Sequence, residues 1–172
     1  MKYIATTIIM CSLLCACSKD AARKTMLDTS VCPLKMIEYD DGDSFACMDE
    51  QIRVLGIDTP EIIHTDHGIF IDQPMGRKAA AFTEDLLKGA GRIVIVRGGS
   101  DPYGRTLAHV LIDGELLGAK LIKAGLAYEN ISRYGDGGLP EYALQITEAW
   151  NSSLKPSFED PHVWREKHQK RP

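Results

Sequence analysis

Charged residues gather in four short parts of this chain, at or near predicted structural breaks. The parts are Asp41–Asp43, Arg53, Asp58–Glu61 and Asp101–Arg105. Carboxylates are hard oxygen ligands for divalent cations, and arginine guanidiniums can hold phosphate oxygens in bidentate geometry. Each part taken alone is more typical of a turn, a strand end or an exposed strand face. Only their combination suggests chemistry, and the chemistry to which these residue types are suited is that of a phosphate group.

The elements that would position these residues follow from the apolar pattern. A hairpin is predicted from two strands around the Asp40–Asp43 turn, and Ile52 and Val54 alternate with polar neighbours in a third strand. The predicted strands cover residues 34–39, 44–48, 51–57, 92–97 and 105–112, and the predicted helices cover 76–88, 116–124 and 140–151. This order predicts an α+β fold, mainly a β-barrel: a five-stranded OB-fold barrel with about three packed α-helices.

The combined motifs resemble those of the staphylococcal nuclease (thermonuclease) family, in both order and spacing. The resemblance extends over roughly residues 34–128 and is strongest at the segments 41–44, 53–61 and 101–105. It implies a calcium-dependent phosphodiesterase on an OB-fold barrel, which acts on DNA, RNA or both. A monomer with no obligate protein partner is expected.

The family's functional residues transfer to matching positions of this sequence. The resemblance implies that Asp43, Asp58 and the backbone carbonyl of Thr59 bind Ca²⁺. It also implies that Arg53 and Arg105 hold the phosphate, that Glu61 lies next to the attacking water, and that Tyr103 lies near the nucleotide phosphate. Tyr128 and Tyr134 are candidates for stacking on a base, and neither is assigned.

One of these expectations conflicts with simple strand geometry. Arg53 and Asp58 are separated by an odd number of positions, so strict alternation in one strand puts them on opposite faces. A bulge at Gly56 or strong barrel twist could bring them together. Their convergence is therefore implied by the resemblance and not by the periodicity.

The first 16 residues predict an export signal. Lys2 precedes an apolar stretch from Ile4 to Leu14, which suits a signal peptide and is too short to span a membrane. The segment Leu14–Cys17 resembles a bacterial lipoprotein signal, which implies cleavage before Cys17 and lipidation of its sulfur. We therefore expect an exported cell-envelope lipoprotein, held on the periplasmic side or at the outer membrane by its lipid anchor. The alternative is an ordinary cleaved signal and a soluble periplasmic or secreted protein.

The rest of the 172-residue chain has room for one domain. Residues 17–30 predict a flexible tether, and residues 31–172 a single domain with a C-terminal helix and tail. Cys32 and Cys47 flank the predicted hairpin, and a disulfide between them is favoured in an oxidising compartment over two buried thiols. In the tail Trp164 is the residue best suited to dock, and the basic residues after it are interpreted as a solvated end.

The net charge and the spacing of the charged residues argue against the alternatives to a nuclease. The net charge of −4 excludes a protein that coats DNA with a basic surface, so any nucleic-acid site must be local. A non-catalytic OB-fold module that binds nucleic acid or protein is the alternative function. This alternative is disfavoured because the sequence keeps all five charged side chains that the resemblance assigns to the site, namely Asp43, Asp58, Glu61, Arg53 and Arg105. A zinc site at His64, Asp66 and His67 is disfavoured because the spacing is loose and no further ligand is evident.

Overall fold

The computed structural model describes residues 27–170, so the predicted signal, Cys17 and most of the predicted tether lie outside the described residues. The strands are β1 (Thr29–Cys32), β2 (Ile37–Tyr39), β3 (Ser44–Cys47), β4 (Glu50–Val54), β5 (Ile57–Asp58), β6 (Ile93–Ser100), β7 (Thr106–Ile112), β8 (Glu115–Leu116) and β9 (Tyr128–Glu129). The helices are α1 (Gly76–Gly89), α2 (Leu117–Lys123), α3 (Ile131–Tyr134), α4 (Pro140–Ser152) and α5 (Pro161–His168), with a 3-10 turn at Thr65–His67.

The strands build one large mixed sheet and one small sheet. The large sheet has the order β1-β6-β7-β4-β3-β2, with β8 paired to β7, and the small sheet pairs β5 with β9. Strands β4 and β7 run parallel, whereas the other pairs are antiparallel. The register shifts between Arg97 and Gly99 in β6, and such a bulge increases the local twist. The sheet curls into an OB-like half-barrel, and the predicted α+β fold is confirmed.

The core fills the space between the curled sheet and the helices. Side chains that are fully buried come from the strands, as with Phe45, Ile52 and Ile95, and from the helices, as with Leu121 of α2 and Ile146 of α4. Along β4 the buried Ile52 and Val54 alternate with more exposed neighbours, as the hydrophobic pattern predicted, whereas β3 is buried at all four positions. Because such a core is close-packed, the charged residues carried at the ends of these strands have fixed positions.

The number and bounds of several elements differ from the prediction. The third predicted strand breaks at Gly56 into β4 and β5. The last two residues of the predicted tether, Thr29 and Ser30, belong to β1, which pairs with β6. Five α-helices are present among residues 27–170 instead of about three, because α3 and α5 are too short to show clear periodicity. None of the helices described has the length and apolar character needed to cross a bilayer.

A buried disulfide links two strands of the sheet, and a buried histidine packs against a helix. A disulfide joins Cys32 in β1 to Cys47 in β3, with their Cα atoms 6.1 Å apart, and confirms the predicted pair. His109 of β7 lies in the interior, stacked on Tyr142 of α4. Burial lowers the pKa of His109 to about 4, so the ring is neutral at physiological pH.

Candidate active site

The loop before β3 is shaped by Asp41 and Gly42. One carboxylate oxygen of Asp41 accepts the backbone N–H groups of Asp43 (2.9 Å) and Ser44 (2.7 Å), which fixes the turn. The carbonyl of Gly42 accepts a hydrogen bond of 2.6 Å from the hydroxyl of Thr83 in α1. A Cβ at Gly42 would lie 2.7 Å from Oγ1 of Thr59, so only glycine lets this loop approach the Asp58–Thr59 segment.

Arg53 joins two of the predicted carboxylates. It lies opposite Ser44 in the β3–β4 register, and its guanidinium donates from Nη1 to Asp43 and from Nη2 to Oδ1 of Asp58 at 2.7 Å. The other oxygen of Asp43 accepts the backbone N–H of Thr59 at 2.7 Å. One guanidinium therefore brings together the two carboxylates that the resemblance implied as metal ligands.

A break in the strand explains how Arg53 and Asp58 converge. Gly56 has a φ of +83°, a conformation that favours glycine, and β5 turns away from β4 to pair with β9. Asn130 holds the turned segment, because its backbone N–H donates to the carbonyl of Gly56 and its side chain donates to that of Ile57. Strict alternation is thus interrupted between Arg53 and Asp58 at Gly56, the residue at which a bulge would allow the two side chains to converge.

A second arginine, which the sequence motifs did not indicate, reaches the same carboxylates from α5. Arg165 donates to Oδ1 of Asp58 at 3.1 Å, to Oδ2 of Asp58 at 2.6 Å, and to the carboxylate of Glu61. The interpretation of the basic tail as a solvated end is therefore wrong at this residue. The available signal was its neighbour Trp164, which was predicted to dock and is buried. The resulting site cluster consists of Asp43, Arg53, Asp58, Glu61 and Arg165.

Burial and charge act in opposite directions on the acids of the site cluster. Burial by itself would raise the pKa of Asp58, yet the Arg53 and Arg165 guanidiniums outweigh it and hold that pKa below its usual range. For Glu61 burial prevails, and its pKa is raised although Arg165 pairs with it. A carboxylate with a raised pKa is a better proton acceptor, which suits a group placed next to a reacting water.

Within the part of the chain that the structure describes, the side chains of Arg105 and Tyr103 contact the 101–105 loop and form no hydrogen bond or ion pair with the site cluster. The register pairs Arg53 with Leu107, and Arg105 is two residues before Leu107, so alternation puts Arg105 on the Arg53 side of these strands. Its Nε donates to Asp101 at 2.7 Å, which leaves both terminal amino groups for another acceptor. Tyr103 is 86% exposed, and its ring centroid is 5.8 Å from the guanidinium carbon of Arg105.

The donor set fits a hard divalent cation. Asp43 and Asp58 converge on one guanidinium, and Thr59, whose carbonyl is the third implied ligand, is bonded to Asp43 through its N–H. Ca²⁺ prefers oxygen donors of this kind and completes its shell with water. Each oxygen of these two carboxylates already accepts a hydrogen bond, so a cation would have to compete with Arg53 and Arg165. Residues 27–170 contain no cluster of three or more acidic, histidine or cysteine side chains suited to a metal.

The other candidates from the sequence have structural partners. His64 pairs with Asp40 at 2.9 Å and meets the ring of His67 edge-on, without forming a three-ligand site in the described part of the chain. The hydroxyl of Tyr128 donates to the carbonyl of Phe158 at 2.7 Å, which ties β9 to the segment before α5. Tyr134 is exposed and lies 3.5 Å from the ring of His162.

Comparison with known proteins points in the same direction as the geometry. The family model described as "Staphylococcal nuclease homologue" matches residues 51–150. That range contains Arg53, Asp58, Glu61 and Arg105, whereas Asp43 and Arg165 lie outside it.

Three relatives extend the comparison beyond the family model. The thermonuclease of Staphylococcus intermedius is 38% identical over 129 residues, which cover 72% of this chain and 71% of the relative. The thermonuclease of Staphylococcus hyicus is 35% identical over 116 residues, 64% of this chain and 63% of the relative. Endonuclease YncB of Bacillus subtilis (strain 168) is 31% identical over 112 residues, 61% of this chain and half of the relative.

Proposed function

The chain belongs to the staphylococcal nuclease family, and on that premise we propose that it is a calcium-dependent nuclease acting on DNA, RNA or both. The reaction is hydrolysis of a phosphodiester bond by water. The observation that carries this proposal is the bridge that Arg53 makes between Asp43 and Asp58, with Glu61 joined to the same cluster through Arg165.

Each side chain has a role that its geometry supports. Asp43, Asp58 and the carbonyl of Thr59 would hold a cation. When bound, that cation would neutralise the phosphodiester and polarise it toward attack. Glu61 orients or deprotonates the water, consistent with the raised pKa that burial gives it.

The arginines recognise the phosphate. Arg53 lies among the carboxylates, and Asp101 holds the Nε of Arg105, so the terminal amino groups of Arg105 would bind the phosphate. Two guanidiniums stabilise the negative charge that builds up on the phosphate in the transition state. The exposed Tyr103 beside Arg105 would contact the nucleotide near this phosphate.

We also propose that the protein is exported and held to the cell envelope through a lipid on Cys17. The disulfide between Cys32 and Cys47 supports export, because such bonds persist mainly in oxidising compartments. Mass spectrometry of the mature protein would show either the added lipid on Cys17 or a soluble chain without it.

The nuclease proposal is tested with the chain that begins after Cys17. Cleavage of DNA and of RNA would be measured with Ca²⁺, then with a chelator, in the wild type and in Glu61→Gln. We expect cleavage that depends on Ca²⁺ and falls by about 10²- to 10⁴-fold in the variant, because the group that activates water is lost.

The matched control is Glu84→Gln. Glu84 is a partly exposed acid of α1 that pairs with Lys88, outside the site cluster, and its loss should leave cleavage unchanged. A folded wild type that binds nucleic acid but cleaves nothing with any divalent cation would overturn the proposal. The non-catalytic OB-fold module would then be the better description.

A further inference from the structure

The terminal helix α5 is built so that Arg165 points into the site cluster. Asp160 caps the helix by accepting the backbone N–H of His162 at 2.8 Å, and Pro161 occupies the first turn. Trp164 is buried against the protein and stacks on His168, so its side chain anchors the helix. The adjacent Arg165 then reaches both Asp58 and Glu61 from one guanidinium.

The segment before α5 is linked to the backbone of Glu61 through the side chain of Gln73. Gln73 is buried, its side-chain oxygen accepts the N–H of Glu61 at 3.2 Å, and its side-chain nitrogen donates to the carbonyl of Glu159 at 2.6 Å. A single glutamine therefore connects the chain that leads into α5 with the residue whose carboxylate Arg165 holds.

The segment after α5 is also held by hydrogen bonds, in this case to His67 and Gly68. The backbone N–H of Lys170 donates to the carbonyl of Gly68 at 2.9 Å, and the side chain of Gln169 donates to the carbonyl of His67 at 2.8 Å. A Cβ at Gly68 would lie 2.0 Å from the carbonyl oxygen of Lys170, and Gly68 has a φ of +75°. Glycine is therefore needed here for the terminal segment to pack.

We propose that Arg165 is a positioning residue of the active site, which holds Asp58 and Glu61 in the arrangement that hydrolysis needs; this rests on the proposed nuclease function. Its guanidinium fixes both carboxylates from one rigid, planar group and limits the repulsion between them. Helix α5 is bonded at both ends and anchored by Trp164, so Arg165 is a permanent part of the site. A latch that covers the site and leaves when substrate arrives would be held less firmly.

The positive charge of Arg165 should also weaken the binding of a cation by the site cluster. Arg165 donates to both oxygens of Asp58, so it competes with a cation for a proposed ligand. Removing the guanidinium should therefore tighten Ca²⁺ binding, while the catalytic rate falls because Glu61 is no longer held. A purely structural role in docking α5 would not produce these opposite changes.

The experiment compares Arg165→Ala and Arg165→Lys with the wild type. In Arg165→Ala we expect kcat to fall about 10- to 100-fold with little change in KM, as for other residues that orient active-site groups. Arg165→Lys should recover part of the rate, and guanidinium ion at concentrations that do not unfold the protein should partly rescue Arg165→Ala. Calcium affinity, measured by calorimetry without nucleic acid, should rise several-fold in Arg165→Ala.

Two further variants separate positioning from docking. Lys167→Ala removes an exposed residue of the same helix that pairs with Glu159, and it should match the wild type. Trp164→Ala removes the anchor, and adding it to Arg165→Ala should cost little more rate, because both act through the same guanidinium. Guanidinium ion should not rescue a chain in which only the anchor is missing.

The outcomes are distinct. An unchanged or increased kcat in Arg165→Ala overturns the proposal, and an increase would indicate a latch. A reduced kcat with weaker Ca²⁺ binding and no rescue also overturns it, in favour of a structural role. If the wild type binds Ca²⁺ but does not cleave, the proposed function fails, and the change in Ca²⁺ affinity still decides whether Arg165 acts on Asp58.

Discussion

Two groups of paired arginines and carboxylates involve strand β4, and they differ in how deeply their carboxylates are buried. The site cluster has three carboxylates for two guanidiniums. The other group, which we name the strand cluster, consists of Asp28, Ser30, Glu50, Arg97 and Thr106. Its pairs join β6 to β4 across the intervening β7.

The strand cluster is complete within the fold. Arg97 donates from Nε and Nη2 to the two oxygens of Glu50 at 2.7 and 2.6 Å, and the hydroxyl of Thr106 also donates to Glu50 at 2.7 Å. The side chains of Arg97 and Glu50 are 22% and 30% exposed, so water solvates part of the pair. Asp28, the second carboxylate on Arg97, lies 3.3 Å from it and has a side chain that is 73% exposed, so water solvates the charge that Arg97 does not neutralise.

The carboxylates of the site cluster are largely shielded from water. The side chains of Asp43 and Asp58 are only 1% and 3% exposed, and Glu61 adds a third carboxylate. Buried charge without full compensation is costly, and proteins retain it mainly where it has a function. Both clusters carry one more carboxylate than guanidinium, so the burial of that excess charge, and not the excess itself, distinguishes a site for a cation from a tie between strands.

The largest expected difference between the clusters is in catalytic rate. Arg53→Ala should lower kcat by about 10²- to 10³-fold, because it removes a donor that stabilises charge in the transition state. Arg97→Ala should leave kcat of the folded protein within a small factor of the wild type. Cleavage assays in Ca²⁺, with the folded fraction measured by circular dichroism, check both variants. Equal losses in the two would show that the strand cluster also serves catalysis.

Removing the disulfide should lower the stability of the fold and leave the catalytic rate of the folded protein unchanged. Replacing Cys32 and Cys47 by serine removes a link with a sequence separation of 15 and leaves β1, which carries Ser30 of the strand cluster, held by its pairing with β6. We expect the free energy of unfolding to fall by about 3 kcal/mol in denaturant titrations. The kcat of the folded variant should stay near that of the wild type, and a large loss would mean that the two regions are coupled.

Calcium should stabilise the protein only through the site cluster. At a free concentration of about 100 times Kd, a ligand that binds only the native state adds about 2.7 kcal/mol to the free energy of unfolding. Asp43→Asn should abolish this increase, and Glu50→Gln should retain it. Denaturant titrations with Ca²⁺ and with a chelator measure the difference, and the opposite pattern would move the cation to the strand cluster.

The smallest expected effect is on the pH dependence of stability. The hydrogen bond from Arg97 lowers the pKa of Glu50, so its contribution is present above pH 4.5, its ordinary pKa, and is lost as the pH falls through the lowered value. Glu50→Gln should flatten this acid limb by less than about 1 kcal/mol, because the pair is partly exposed.

Glu61 should give a slope of the opposite sign. Burial raises its pKa, so its contribution is present below pH 4.5 and is lost as the pH rises through the raised value. Unfolding measured in a chelator, for Glu61→Gln beside Glu50→Gln, tests this contrast. Slopes of the same sign would show that the two carboxylates have similar surroundings.

Much of the site could be predicted because its residues lie close together in sequence. Asp43 and Arg53 face each other across a short hairpin, which the turn residues and the alternation of Ile52 and Val54 indicated. The approach of Arg53 to Asp58 was harder to predict from the sequence, because it depends on the turn at Gly56 and on pairing of β5 with the distant β9. Periodicity describes one regular strand and does not show where that strand leaves its sheet.

The sequence by itself indicated the residue types, the order of the main strands and helices, and the pairing of Cys32 with Cys47, since these follow from local patterns and composition. Only the tertiary structure decided that Arg165 joins Asp58, from which it is separated by 107 positions. The physical reason is that a basic residue in a polar tail is ordinarily solvated. It becomes part of a buried cluster only when the packing of Trp164 and the bonds at both ends of α5 hold it there.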